Sequence, residues 1–71
     1  MDRAILAEHL ALAERHVAQG EEHLARQRKL IADLERHGHD TKQARDLLAQ
    51  FESMQALHIG DRDRLKKELE A

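Results

Sequence analysis

Histidine is the residue type here whose number and spacing suggest chemistry: six occur in 71 residues, and His9, His16 and His23 recur at intervals of seven. Imidazole can ligate a transition metal, or titrate at about 6.5 and so change charge near neutral pH. On a single helix, two ligands share an ion only when they stand three or four residues apart. Seven residues rise roughly 10.5 Å, so neighbouring members of this row cannot chelate together. A site between two helices is the remaining route, with His16 or His23 meeting His58 and Asp61 near Gly20. Histidine with carboxylate would suit zinc. The plainer reading is that a heptad-repeating helix reproduces one boundary position every seven residues, where an imidazole packs its ring and wets one nitrogen. The expectation is therefore no metal and no cofactor. His16, His23, His58 and Asp61 are the candidates should a metal bind, and protonation of the row is the alternative should the assembly respond to pH.

Other chemistry is thin. The chain has no cysteine, which excludes disulfides and thiolate metal sites. No nucleophile elbow or glycine-rich phosphate loop is present. Glu21 and Glu22 beside His23 would lie on a solvated helix surface, with no pocket to tune them. No catalytic residue is expected, and the protein is read as a non-enzyme. Arg26, Arg28 and Lys29 form a small basic patch without aromatic stacking partners. In the run Arg62, Asp63, Arg64, Lys66 and Lys67, an acid is interleaved with the bases. The net charge is -2, and these features argue against nucleic acid.

Residues that could position such groups must sit on helices. Proline, tryptophan and tyrosine are absent, and 37% of residues are charged. Ala, Leu, Glu, Arg, Gln and Lys, all strong helix formers, dominate. Steps of four and three from Leu6 give Leu6, Leu10, Ala13, Val17, Gly20, Leu24, Gln27, Ile31 and Leu34, an unbroken heptad seam. The reading is one all-α domain: a helix over 3–37, a turn at 38–40 and a helix over 41–70. Gly38 suits the left-handed position that ends a helix. Asp40 suits an N-cap, with Gln43 placed to complete a capping box. So short a link folds the second helix back antiparallel.

On helix two, Leu47, Phe51, Met54, His58, Asp61, Leu65 and Leu69 fall in one arc, widened by Ala44, Leu48 and Leu57. Gly60 followed by Asp61 could break the helix, but Leu65 and Leu69 stay in phase with Phe51, so a continuous helix is expected. Folding about residue 39 pairs Leu34 with Ala44, Ile31 with Leu47, Gln27 with Phe51, Leu24 with Met54, Gly20 with His58, and Ala13 with Leu65. Val17 falls near Asp61.

Residues 14–65 carry the elements ERHV, RQR, GHDT and ALH followed by DRDRL. In these the chain resembles a set of short uncharacterised alphaproteobacterial helical proteins. No activity is assigned to that group, so the resemblance implies no catalytic or binding residue; it implies a bacterial, intracellular origin.

A two-helix hairpin buries one stripe on each helix. Ile5, Leu12, Leu30, Leu48 and Leu57 would remain together on the outside, and large exposed apolar patches mark interaction surfaces. The expected architecture is an antiparallel two-helix hairpin that dimerises into a four-helix bundle. The partner is a second copy or another helical protein. With no uninterrupted apolar span, no membrane segment and no signal peptide are expected, and a cytoplasmic location is the default expectation. The expected function is a small interaction or structural module. A regulatory RNA-binding hairpin dimer and a histidine-based metal-binding or pH-sensitive bundle are the alternatives.

Overall fold

The computed structural model describes residues 2–71. Two helices, α1 (Arg3–Arg36) and α2 (Lys42–Glu70), pack side by side as an antiparallel hairpin. Among the described residues no helix is long and apolar enough to cross a membrane.

Each helix begins and ends where local chemistry dictates. Asp2 caps α1, its carboxylate accepting from the Ala4 amide at 3.1 Å. At the other end Gly38 takes φ +73°, a conformation costly for any residue with a Cβ. The His39 amide reaches back to the Leu34 carbonyl at 2.9 Å and the Gly38 amide to the Glu35 carbonyl at 3.1 Å. Together they form a Schellman motif, which satisfies carbonyls left without partners at the helix end.

The start of α2 differs from expectation. Thr41, not Asp40, holds the N-cap position. Asp40 still accepts from the Lys42 amide at 3.0 Å, one residue upstream of the cap. The capping box with Gln43 is not formed, since Gln43 makes no hydrogen bond to Asp40. Arg45 organises the turn instead. Its Nε donates to the Thr41 hydroxyl at 3.0 Å, and its guanidinium reaches across the turn to Glu35. Arg45 thus ties the second helix to both the turn and the first helix.

The α1 seam runs as the heptad pattern requires: Leu6, Ala13, Val17, Leu24, Gln27 and Ile31 are buried, and Leu10, Gly20 and Leu34 half-buried. The α2 face is turned one position from the expected arc. Buried or half-buried positions run Thr41, Ala44, Leu48, Phe51, Gln55, His58, Arg62, Leu65 and Leu69, an alternation of three and four, with Ile59 half-buried beside it. Leu47, Met54 and Asp61, expected inside, are exposed. The pairing shifts accordingly. Gly20 meets Gln55 rather than His58, and Gln27 meets Ala44 rather than Phe51. α2 runs through Gly60 without a break.

The resulting core is thin. Leu6, Ala13 and Leu65, with Leu10 and Leu69 against them, close the end remote from the turn. Among the described residues no large side chain is fully enclosed. The accessible surface is 5368 Å², against about 4,500 Å² for a compact monomer of this mass. The radius of gyration, 16.2 Å, compares with about 11 Å for a globular domain of this length.

The glycines make opposite predictions. A Cβ at Gly60 meets nothing within 4 Å and the backbone is helical, so Gly60→Ala should stabilise by about 1 kcal/mol. Gly38→Ala is equally free of contacts but must adopt a positive φ, so it should destabilise by about 1–2 kcal/mol. Thermal unfolding followed by circular dichroism measures both signs. A stabilised Gly38→Ala would contradict the left-handed turn.

Candidate functional site

Two glutamines decide which faces of the hairpin look outward. Gln55 is 4% exposed and Gln27 8%, and each donates its amide to a backbone carbonyl of the opposite helix. Gln55 Nε2 bonds the Val17 carbonyl at 2.9 Å and Glu21 Oε1 at 3.1 Å. Gln27 Nε2 bonds the Ala44 carbonyl at 2.9 Å. A helical carbonyl has a second lone pair to offer, so neither bond disrupts a helix. Small neighbours make the approach possible. At Gly20 any Cβ would overlap the Gln55 carboxamide. Gln55 Oε1 is buried without a hydrogen-bond partner.

With the seam fixed, the two edges of the hairpin differ in kind. One edge carries Glu14, Glu21, Arg28 and Glu35 of α1 against Arg45, Glu52, Ile59 and Lys66 of α2. Glu35 pairs there with Arg45, and Arg28 with Glu52 at 3.8 Å. Beyond it α1 presents Ala4, Ala11, Ala18, Ala25 and Ala32, whose methyl groups offer little area. Such exposed ion pairs contribute about 0–1 kcal/mol each, so they solvate this edge more than they hold it together.

The opposite edge is apolar. The exposed large apolar side chains among the described residues are Ile5, Leu12, Leu30, Leu47, Met54 and Leu57. In heptad terms each lies at g or c, the two positions flanking the seam on this one side; in an antiparallel pair, g faces g. Four of the five residues expected on the outer face, Ile5, Leu12, Leu30 and Leu57, are there. Leu48 is the exception. The rotation of α2 carries it into the seam, where it is half-buried, and brings out Leu47 and Met54 instead.

His16, His23 and His58 lie along this same edge. His16 and His58 are half-buried, with ring centroids 5.3 Å apart and planes tilted by 51°. His23 meets Phe51 edge-on at 5.8 Å. Together with Gly20, Met54 and Gln55 they line a hollow of about 250 Å³. Asp61 does not line this hollow. It lines a second one that shares His16 and also holds His9 and Leu12, and it bonds Arg64 at 2.6 Å. Hydrogen bonds to Asp61 and then Glu68 hold the Arg64 guanidinium above its ordinary pKa. Among the described residues no three His, Asp or Glu side chains converge closely enough to hold a metal ion within one chain. His37 is engaged at the turn, its Nδ1 lying 2.8 Å from the Asp33 carbonyl.

Gln55 is the residue that sequence reasoning missed. The signal was available in the strict three-four spacing from Ala44, which leads through Leu48 and Phe51 to Gln55. Counting apolar residues favours the other arc, because it gathers Leu47 and Met54. No protein-family model, curated protein or solved structure matches this chain.

The Gly20–Gln55 contact predicts non-additive stability. Alone, Gly20→Ala gains helix propensity worth about 1 kcal/mol. It also unseats a buried carboxamide, whose unsatisfied groups cost about 1–3 kcal/mol. The single change should therefore be neutral to destabilising, and the same change in a Gln55→Ala background stabilising. A double-mutant cycle by denaturant unfolding should give a coupling of about 1–2 kcal/mol. Simple additivity would show that the contact does not hold the two helices in register.

Proposed function

We propose that this protein is a non-enzymatic helical interaction module whose working surface is the apolar edge, and that its partner is a second copy, giving a four-helix bundle. The observation that carries this reading is the segregation of edges. The exposed large apolar side chains lie on one side, while the ion pairs between helices lie on the other.

Size supports the choice of partner. The hairpin is 53 Å long and about 14 Å wide. One edge therefore offers on the order of 700 Å², close to the roughly 800 Å² per partner of a stable interface. A rod of equal length covers it most completely, and the chain itself is such a rod. Covering it would also remove much of the excess surface of the isolated hairpin, which small domains commonly do by oligomerising. RNA binding gains no support from the charges. Arg28, Arg36, Arg45, Arg62, Arg64 and Lys42, six of the twelve Lys and Arg, each lie against a carboxylate, which weakens the case for a phosphate-binding stripe.

Sedimentation equilibrium of untagged protein should give twice the chain mass of 8.2 kDa, and the melting temperature should rise with concentration. Leu12→Glu combined with Met54→Glu should abolish association and lower the melting temperature. A single-chain mass with a concentration-independent melting temperature would refute the proposal.

A further inference from the structure

The hollow holding His16, His23 and His58 lies where two copies must meet at equivalent levels. The Gly20–Gln55 contact is close to the midpoint of both Arg3–Arg36 and Lys42–Glu70. Two copies packed edge to edge about a two-fold have that axis in the plane of contact. If the axis runs along the rods, every level meets itself. If it runs across them, the rods are antiparallel and overlap is greatest when their midpoints coincide. Either way, the central level of one copy meets the central level of the other.

We propose that this level is a transition-metal site of the zinc class, built by His16 and His58 of one copy and completed by imidazole from the second. The proposal rests on the self-association argued above. The two rings have their centroids 5.3 Å apart. Two imidazoles bound to one tetrahedral zinc at about 2.0–2.1 Å place their centroids roughly 5.2 Å apart. The separation that heptad spacing denies along α1 is thus supplied across the hairpin. In parallel copies the second His16 and His58 complete a four-imidazole site, with one ion per two chains. In antiparallel copies His16 falls level with His23 of the second copy, since the two residues are equidistant from the midpoint of α1. That gives three imidazoles and an open position, with one ion per chain.

Two further observations point the same way. A metal-bound imidazole keeps one N–H that needs an acceptor, and Gln55, one of the residues lining this hollow, has a buried Oε1 without a hydrogen-bond partner. Among the described residues of one chain no third ligand joins the pair; Asp61, in the neighbouring hollow that shares His16, is bonded to Arg64. Binding and association are therefore coupled: an ion that needs both copies must tighten the dimer by mass action.

The test is sedimentation equilibrium of untagged protein at neutral pH, with zinc chloride or with EDTA, alongside zinc titration calorimetry. Zinc should lower the dimer Kd by about tenfold or more and saturate at one ion per two chains or one per chain. His16→Gln and His58→Gln should each remove the difference between zinc and EDTA, with each variant compared against itself in the two conditions. His39→Gln, at the turn, should retain it. A dimer indifferent to zinc, a zinc effect that survives both substitutions, or zinc bound by single chains without association would each overturn the shared site and leave the self-association reading standing. A single-chain mass with and without zinc would overturn both.

Discussion

The contact on which the rest of this structure depends is a glutamine laid against a glycine. Two long helices with wide amphipathic faces can pack in several rotations, and leucine contacts alone separate them weakly. Gln55 over Gly20 is not interchangeable. Its carboxamide is buried; Nε2 donates to the Val17 carbonyl and the Glu21 carboxylate, while Oε1 has no hydrogen-bond partner. Gln27 on the Ala44 carbonyl repeats the device nearer the turn. A buried polar group contributes less to stability than an apolar one of equal size. What it adds is discrimination, because the Gln55 carboxamide occupies space that a Cβ at position 20 would fill.

The register has a consequence outside the core. Turning α2 by one position puts Leu48 against α1 and sends Leu47 and Met54 to the edge that already carries Leu12 and Leu30. The same turn leaves Glu35 facing Arg45 and Arg28 facing Glu52 on the other side. The hairpin therefore has one edge suited to water and one suited to another apolar surface. A core this thin and a surface this large both favour covering the second. His16, His23 and His58 occupy that edge at mid-length, where the first and last rings contact each other and His23 contacts Phe51.

Much of this was legible beforehand. Helix-forming composition, the nine-position seam of α1 and the glycine at the turn specify an antiparallel hairpin through purely local physics. Four of the five outer apolar residues follow from the same pattern. Less legible was the start of α2. Asp40 and Thr41 are both good caps, and Arg45 settles the matter by engaging the Thr41 hydroxyl and Glu35 together. That is a contact between helices, invisible to a capping rule that reads four consecutive residues.

By itself, the sequence determined that there are two helices, where they turn, and which stripe of α1 is buried. Its heptad there is continuous and has no competitor. Only the tertiary structure decided the buried stripe of α2. The two candidate arcs share Phe51, His58, Leu65 and Leu69, and differ in Leu47, Met54 and Asp61 against Leu48, Gln55 and Arg62. Apolar content favours the first arc, yet the second is buried. The physical reason lies on the other helix: Gly20 leaves room for a side chain with a polar end, and the Val17 carbonyl beside it gives that end a partner. The value of a glutamine at a seam depends on what stands opposite, and only the folded chain specifies that.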